Sequence, residues 1–267
     1  MNIESKETIV IKLGGSVINS KDSTVQDVME LQKSGRKIVL VHGGASMVTK
    51  WLTEQGITAQ FYQGERITDI KSLSVVTAVL AGLANKETTA ALIDAGAKAV
   101  GISGVDGGLI RGKVRDAKLG YLGDVLKVNP EILQTLLDAG FIPVVSPVSM
   151  NAFERQPQDP LLLNINGDTV AGEIAAAMKA EQLVFLTDVD GIRDSAGNVL
   201  SNIKPEEVAN LLESGIAYGG MIPKLKACLT AAKSGTTCRI VDGRQPHAVI
   251  EAITGNRNGS TITAARR

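Results

Sequence analysis

Short runs of β-branched residues alternate along the chain with segments of helical period, and this alternation limits the fold more than any other property of the sequence. Residues 9–13, 37–41, 99–102, 141–146, 183–187, 238–241 and 261–263 read as strands. Between them, Leu73, Val76, Leu80 and Leu83 share one helical face. Ile132, Leu133, Leu136 and Leu137 do the same ahead of Gly140, a helix stop. Strand and helix in alternation imply right-handed crossovers and a sheet covered on both faces. The expected α/β fold is therefore a three-layer α/β/α sandwich with a mainly parallel central sheet. Segments 105–108, 118–125 and 194–199 have the composition of hairpin turns, so an antiparallel excursion is expected beside the sheet. No internal repeat or shift in composition divides the 267 residues. The reading is one domain, with a lobe boundary near residues 177–181 through which the sheet continues.

In sheets of this kind, ligands bind where loops and helix N-termini meet the carboxyl ends of the strands. The chain carries 28 Lys plus Arg and 28 Asp plus Glu, and so lacks the charge footprint of a nucleic-acid binder. Aromatics make up only 3%, which leaves few stacking platforms for bases, whereas 28 glycines suit tight turns at strand ends. A small ligand is expected, with no nucleic-acid partner. Cys228 and Cys238 lack C-x-x-C spacing and read as buried apolar residues of a reducing compartment. No secretory leader is evident, and no apolar run approaches the ~18 residues of a membrane span, so a cytoplasmic protein without a membrane partner is expected. Residues 151–160, polar with two prolines, read as a mobile loop beside the site.

Five places carry candidate chemistry. "KLGGS" and "VHGGAS" each set a glycine pair after an apolar strand and before a helix, a geometry that brings backbone N–H groups close to a phosphate. Neither matches a Walker A loop or G-x-G-x-x-G. Lys12 ends an otherwise apolar strand, where an unpaired ammonium costs several kcal/mol, so it calls for an anionic partner. "LLLNINGDTVAG" interrupts an apolar run with Asn164, Asn166 and Asp168; Asp168 reads as a helix cap, and the asparagines as contacts to a small polar ligand. "YGGMIPKLKA" places Pro223 at a first helical position and Lys224 just after it. In "GERITD", Arg66 lies in a loop and suits bidentate capture of a carboxylate, although in isolation it also fits an ordinary surface arginine. His42 and His247 have neither H-E-x-x-H spacing nor a third ligand, so no protein-built metal site is expected. "TDVDGI" fails as a calcium loop because its glycine and glutamate positions are wrong.

Taken in order, "KLGG", "VHGG", "GERITD", "GISGVDGGLI", "NINGDTVAG", "LTDVDGI", "GGMIPK" and "VDGRQPH" resemble the acetylglutamate kinase family, within the amino-acid kinase fold, over nearly the whole chain. The resemblance implies a single amino-acid kinase domain over residues 1–267, with an N-lobe (1–178) for acetylglutamate binding and dimerisation and a C-lobe (179–267) for the nucleotide. It implies phosphorylation of the side-chain carboxylate of N-acetyl-L-glutamate by ATP in arginine biosynthesis, with Mg2+ carried by the nucleotide phosphates. Lys12 and Lys224 match the family's transition-state lysines, and Asp168 matches the aspartate that orients them. Gly43, Gly44, Arg66 and Asn164 match substrate contacts, with Asn166 beside them. The nucleotide contacts correspond to Gly14 and Gly15, to Asp188, Val189, Asp190, Gly191, Ile192 and Arg193, and to Ile216, Ala217 and Tyr218.

Three positions depart from the family pattern. Ala45 and Ser46 stand where a third glycine and a proline are usual, and Gly167 stands where alanine is common. No counterpart of the N-terminal helix that joins dimers into hexamers is evident, so a homodimer with weak or no arginine inhibition is expected. Two alternatives remain at this stage: a kinase acting on aminoadipate or glutamate attached to a carrier protein, and a noncatalytic amino-acid or nucleotide sensor.

Overall fold

The first strand, β1 (Thr8–Leu13), is a run of β-branched and aliphatic residues whose alternation sends Val10 and Lys12 to one face and Ile9, Ile11 and Leu13 to the other. The structure, a computed structural model, describes residues 8–14, 22–62, 64–215, 217, 219–255 and 259–263. Gly15, Ile216 and Tyr218, three of the expected nucleotide contacts, lie outside the described residues. After β1 come α1 (Ser23–Lys33), β2 (Lys37–His42), α2 (Ala45–Glu54) and the short strands β3 (Phe61–Tyr62) and β4 (Glu65–Arg66). α3 (Ile70–Thr77) passes through a π-helical stretch (Ala78–Ala84) into α4 (Asn85–Asp94). Next are β5 (Ala99–Ser103), β6 (Ile110–Val114), β7 (Leu122–Val128), α5 (Glu131–Asp138), β8 (Ile142–Ser146), β9 (Val148–Asn151), β10 (Leu162–Ile165) and α6 (Gly167–Met178). The remainder comprises β11 (Gln182–Thr187), β12 (Asn202–Ile203), α7 (Pro205–Glu213), α8 (Met221–Ala232), β13 (Thr237–Asp242), α9 (Ala248–Thr254) and β14 (Ser260–Ile262).

The main sheet has eight strands in the order β12-β14-β13-β11-β1-β2-β8-β5, and every neighbouring pair except β13–β14 is parallel. Because β1 pairs directly with both β2 and β11, the sheet runs unbroken past the lobe boundary. Side chains of α5, α6, α7 and α8 pack on the Val10 face, and those of α1, α4 and α9 on the Ile9 face, which completes the three layers. Ile9, Ile11 and Phe185 are fully buried, each contributing about 2 kcal/mol through the area it removes from water. Cys228 and Cys238 are buried free thiols, as their type and spacing suggested, and burial pushes the Cys228 thiol up.

A second, smaller sheet closes on itself. β6 pairs antiparallel with β7 and parallel with β9, while β10 pairs parallel with β7 and antiparallel with β9. Val148 of β9 packs with Leu52 of α2 and Val76 of α3, so these helices cover this sheet. Segment 118–125 joins the antiparallel pair β6–β7, and Asp194 accepts a turn bond within segment 194–199, as hairpin chemistry predicts. Segment 105–108 is not a hairpin turn. Asp106 accepts from both the Ser103 amide and hydroxyl at 2.7 Å, and Gly107 and Gly108 have φ of 61° and 67°, which carries the chain out of the main sheet into the second one. Residues 151–160 also differ from expectation. They open β10 at the end away from Asn166 and line neither of the two cavities described below that border Lys12 and Lys224; Asn151 and Arg155 close the loop on Pro160 and Asp159.

Candidate active site

Lys12 reaches the carboxyl end of β1 on the face covered by α6, and α6 begins immediately after β10, so strand and helix deliver a cation and an acid to one point. Lys12 Nζ lies 2.7 Å from Asp168 Oδ1, and Lys224 Nζ, from the first turn of α8, lies 3.0 Å from Oδ2. All three side chains are nearly buried, with exposures of 10%, 12% and 6% for Lys12, Lys224 and Asp168. Burial alone would raise the Asp168 carboxyl, but the ammonium charges of Lys12 and Lys224 outweigh it and hold the group below the usual carboxylate range. Two cations on one carboxylate leave a surplus positive charge in a site largely closed to water, an arrangement suited to an anionic ligand.

Asp168 does not cap its helix. Asn166 takes that place, its Oδ1 accepting from the amides of Asp168 at 2.8 Å and Thr169 at 3.4 Å, which frees the Asp168 carboxylate to turn toward the lysines. Pro223 is the third residue of α8 rather than the first, a position where the missing N–H is still no loss to the helix.

Lys12 and Asp168 also form one wall of a cavity of about 270 Å³ that includes Gly44, Arg66, Asn164 and Asn166. Gly44 has φ of 145°, and a Cβ there would stand 2.7 Å from Leu80 Cδ2, so this turn admits only glycine. The turn is steadied from behind: His42 Nδ1 bonds the Gly43 carbonyl at 2.8 Å, and His42 Nε2 meets Asn85 Nδ2 at 3.2 Å. Ala45 begins α2, past the left-handed position, so its side chain is accommodated without strain. An alanine in place of Gly167 would bring its Cβ to 3.3 Å from the His42 carbonyl, a tight contact that the backbone there would have to yield slightly to admit.

Arg66 lies on β4 rather than in a loop, is 7% exposed, and is not a surface arginine. Its Nη2 donates to the Ala45 carbonyl at 3.0 Å and to Thr49 Oγ1 at 2.8 Å, and its guanidinium stacks 4.8 Å over Phe61. Its Nη1 is buried with no protein acceptor, and Arg66 is among the residues that line the cavity. Asn164 Nδ2 donates to Thr68 Oγ1 at 3.0 Å, a supporting contact that strand patterning did not reveal.

On the other side of Lys224, a cavity of about 340 Å³ is lined by Asp188, Val189, Gly191, Ile192, Arg193 and Ala217. Asp190 is outside this wall and holds Arg193 at 2.8 Å. Leu211 and Met221 complete the apolar side, and neither was singled out by the sequence. A third cleft, of about 550 Å³, is lined by both lysines, Gly14, Asp22, Thr24 and Arg244. Gly14 is held so close to β11 that a Cβ would meet the Leu186 carbonyl at 2.7 Å. Arg244 is braced by a two-pronged contact to Asp242 at 2.8 and 2.9 Å, which holds that carboxyl well below its usual range. The capping pattern of Asp22 before Thr24 was the signal that could have drawn attention to the start of α1. Among the described residues, no group of three or more His, Cys, Asp or Glu side chains could hold a metal ion, and no helix is long and apolar enough to cross a membrane.

An unbroken main sheet, a small second sheet and two cavities meeting at a Lys–Asp–Lys cluster describe a small-molecule kinase of the α/β class. Residues 7–242 match the model of the amino acid kinase family. The acetylglutamate kinase of Dehalococcoides mccartyi (strain CBDB1) is 51% identical over 263 residues, spanning 98% of this chain and 97% of that protein. That of Geobacter metallireducens is 40% identical, over 92% and 88% of the two chains. In three dimensions, smu.665 of Streptococcus mutans UA159 superposes with a TM-score of 0.80 at 25% identity, covering 98% of this chain and all of that one. The chain belongs to the amino acid kinase family and, within it, to the acetylglutamate kinases.

Proposed function

We propose that the chain transfers the γ-phosphoryl group of ATP to the side-chain carboxylate of N-acetyl-L-glutamate, giving the acyl phosphate used in arginine biosynthesis. The observation that carries this reading is the position of Asp168, paired at 2.7 and 3.0 Å with lysines that border an acceptor cavity on one side and a nucleotide cavity on the other. A carboxylate oxygen attacks the γ-phosphorus, a new O–P bond forms, and the bond to the β–γ bridging oxygen breaks with its electron pair leaving on ADP. Both reactants are anionic, so the protein must supply position and positive charge rather than a covalent intermediate. Lys12 and Lys224 neutralise the phosphoryl oxygens, Asp168 fixes both ammonium groups, and the amides at Gly14 and Gly44 add oriented donors. The acceptor is already ionised at neutral pH, which removes the need for a general base.

Arg66, with its unpaired Nη1, and the amides of Asn164 and Asn166 are the acceptor contacts in this reading, beside Gly43 and Gly44. Asp188, Val189, Gly191, Ile192, Arg193 and Ala217 hold the nucleotide, with Asp190 acting through Arg193. Asp188 is exposed and lines both the nucleotide cavity and the cleft containing the two lysines, so it is the carboxylate that would face Mg2+ on the phosphates. The ion would supply further charge neutralisation at the leaving group. Residues 1–178 then form the acceptor lobe and 179–267 the nucleotide lobe of a cytoplasmic enzyme. Exposed Ile93 on α4 and Phe141 just before β8, both beside the β5 edge of the main sheet, support assembly as a homodimer.

The test is incubation with ATP, Mg2+, free N-acetyl-L-glutamate and hydroxylamine, which traps an acyl phosphate as its hydroxamate. Hydroxamate formation dependent on all components is expected. Its absence from the free amino acid would overturn the reading in favour of a carrier-linked acceptor.

A further inference from the structure

Arg115 lies just past β6 and forms ion pairs that link two separate parts of the protein. Its Nε donates to Asp124 on β7 at 2.6 Å, and its Nη1 donates to Glu65 on β4. Glu65 is the neighbour of Arg66 and lines the same acceptor cavity. The three side chains are only 24–43% exposed, so the pairing is less screened than an ordinary surface bridge. The connection is reinforced by backbone bonds between the same two regions: the Thr68 amide donates to the Leu119 carbonyl at 3.0 Å, and the Tyr121 amide to the Thr68 carbonyl at 2.7 Å.

A carboxylate in the wall of a cavity that receives a dianion needs a reason to be there. N-acetyl-L-glutamate carries two carboxylates, so an uncompensated Glu65 would repel it and compete with it for Arg66. Resting on the acceptor assignment above, we propose that Arg115 is a positioning residue for the amino-acid substrate: it neutralises Glu65 and ties it back to Asp124, leaving Arg66 to the ligand. Arg115 does not reach the Lys12–Asp168–Lys224 cluster through any of its bonds, so its influence falls on binding and not on phosphoryl transfer.

The experiment compares wild type, Arg115→Gln, Glu65→Gln and the double variant in steady-state kinetics with both substrates. Arg115→Gln is expected to raise the KM for N-acetyl-L-glutamate by about 10-fold while kcat and the KM for ATP stay within about twofold. Adding Glu65→Gln to Arg115→Gln should recover most of the lost affinity, an outcome that mere unfolding of the segment would not produce. An unchanged amino-acid KM in Arg115→Gln overturns the inference, as do a matching loss in ATP affinity and kcat or a double variant no better than the single. Wild type without turnover of N-acetyl-L-glutamate would overturn the functional reading as well, so the two failures are distinguishable.

Discussion

Gly172 of α6 and Ala227 of α8 bring their helices into backbone contact: a Cβ on Gly172 would lie 2.7 Å from Ala227 Cβ and 2.8 Å from its Cα and carbonyl oxygen. Asp168 precedes Gly172 by one turn, and Lys224 precedes Ala227 by a little less, so this crossing sets the distance between carboxylate and ammonium. Gly172→Val must push α8 outward and weaken the Lys224–Asp168 contact while leaving Lys12 in place. A fall in kcat of about 10-fold or more, with the amino-acid KM largely retained, is the expected result. Steady-state kinetics with a thermal melt, to confirm folding, would check it; wild-type kcat in a folded variant would contradict the coupling.

Lys12→Ala and Lys224→Ala should each lower kcat by about 100-fold or more, the usual scale for removing a preorganised charge. Because both cations lean on Asp168, their losses should not add, and a double-mutant cycle in kcat is the measurement that reads this. Strict additivity would mean that the two lysines act independently.

Arg66→Ala should act elsewhere. In the proposed function the guanidinium contacts the amino acid, so its removal should raise the KM for N-acetyl-L-glutamate with a smaller effect on kcat. Isothermal calorimetry with the amino acid alone would show the same loss without catalysis, and unchanged affinity would return Arg66 to a purely structural role.

His42 offers a pH test. Burial, together with the charges of Lys12 and Lys86, holds its imidazole below the ordinary value, although its bond to the Gly43 carbonyl opposes this. In the unfolded chain His42 takes up a proton near pH ~6.5, whereas in the folded protein it does so only at lower pH. Its contribution to stability is therefore complete above that unfolded value and declines as pH falls from it toward the folded one. His247 has the opposite sign: its bond to Asp27 raises its pKa, so its contribution is present below ~6.5 and lost as pH rises through the raised value. Urea unfolding of wild type and His42→Gln at pH 7.5 and 5.5 isolates the first effect; wild type should lose more stability on acidification than the variant does.

The main sheet was legible because each of its longer strands is a β-branched run between turn residues, and observed limits fall within a residue or so of those read from the sequence. Lys12 stood out because a charge in such a run has to be explained. The second sheet was not legible as a closed unit: its strands contain Gly112, Lys113 and Gly123, and β10 finds partners that precede it by up to about 40 residues. Pattern also misassigned the helix cap, since Asn166 and Asp168 are both good capping residues and only the lysines decide between them. Gly172 reads as a penalty in a helix until its neighbour is known, and nothing in sequence joins Arg115 to Glu65, 50 positions away. Apart from the local Ser103–Asp106 turn, what patterning missed was a pairing between distant segments.

The shared carboxylate of Asp168 has a consequence for the enzyme between turnovers. Once products leave, two nearly buried ammonium groups would otherwise face each other across an emptied site. In the proposed mechanism Asp168 is a resident placeholder anion that keeps the lysines at their stations until the next phosphoryl group arrives. The site then begins each cycle already assembled, with no cations to gather and little to rearrange.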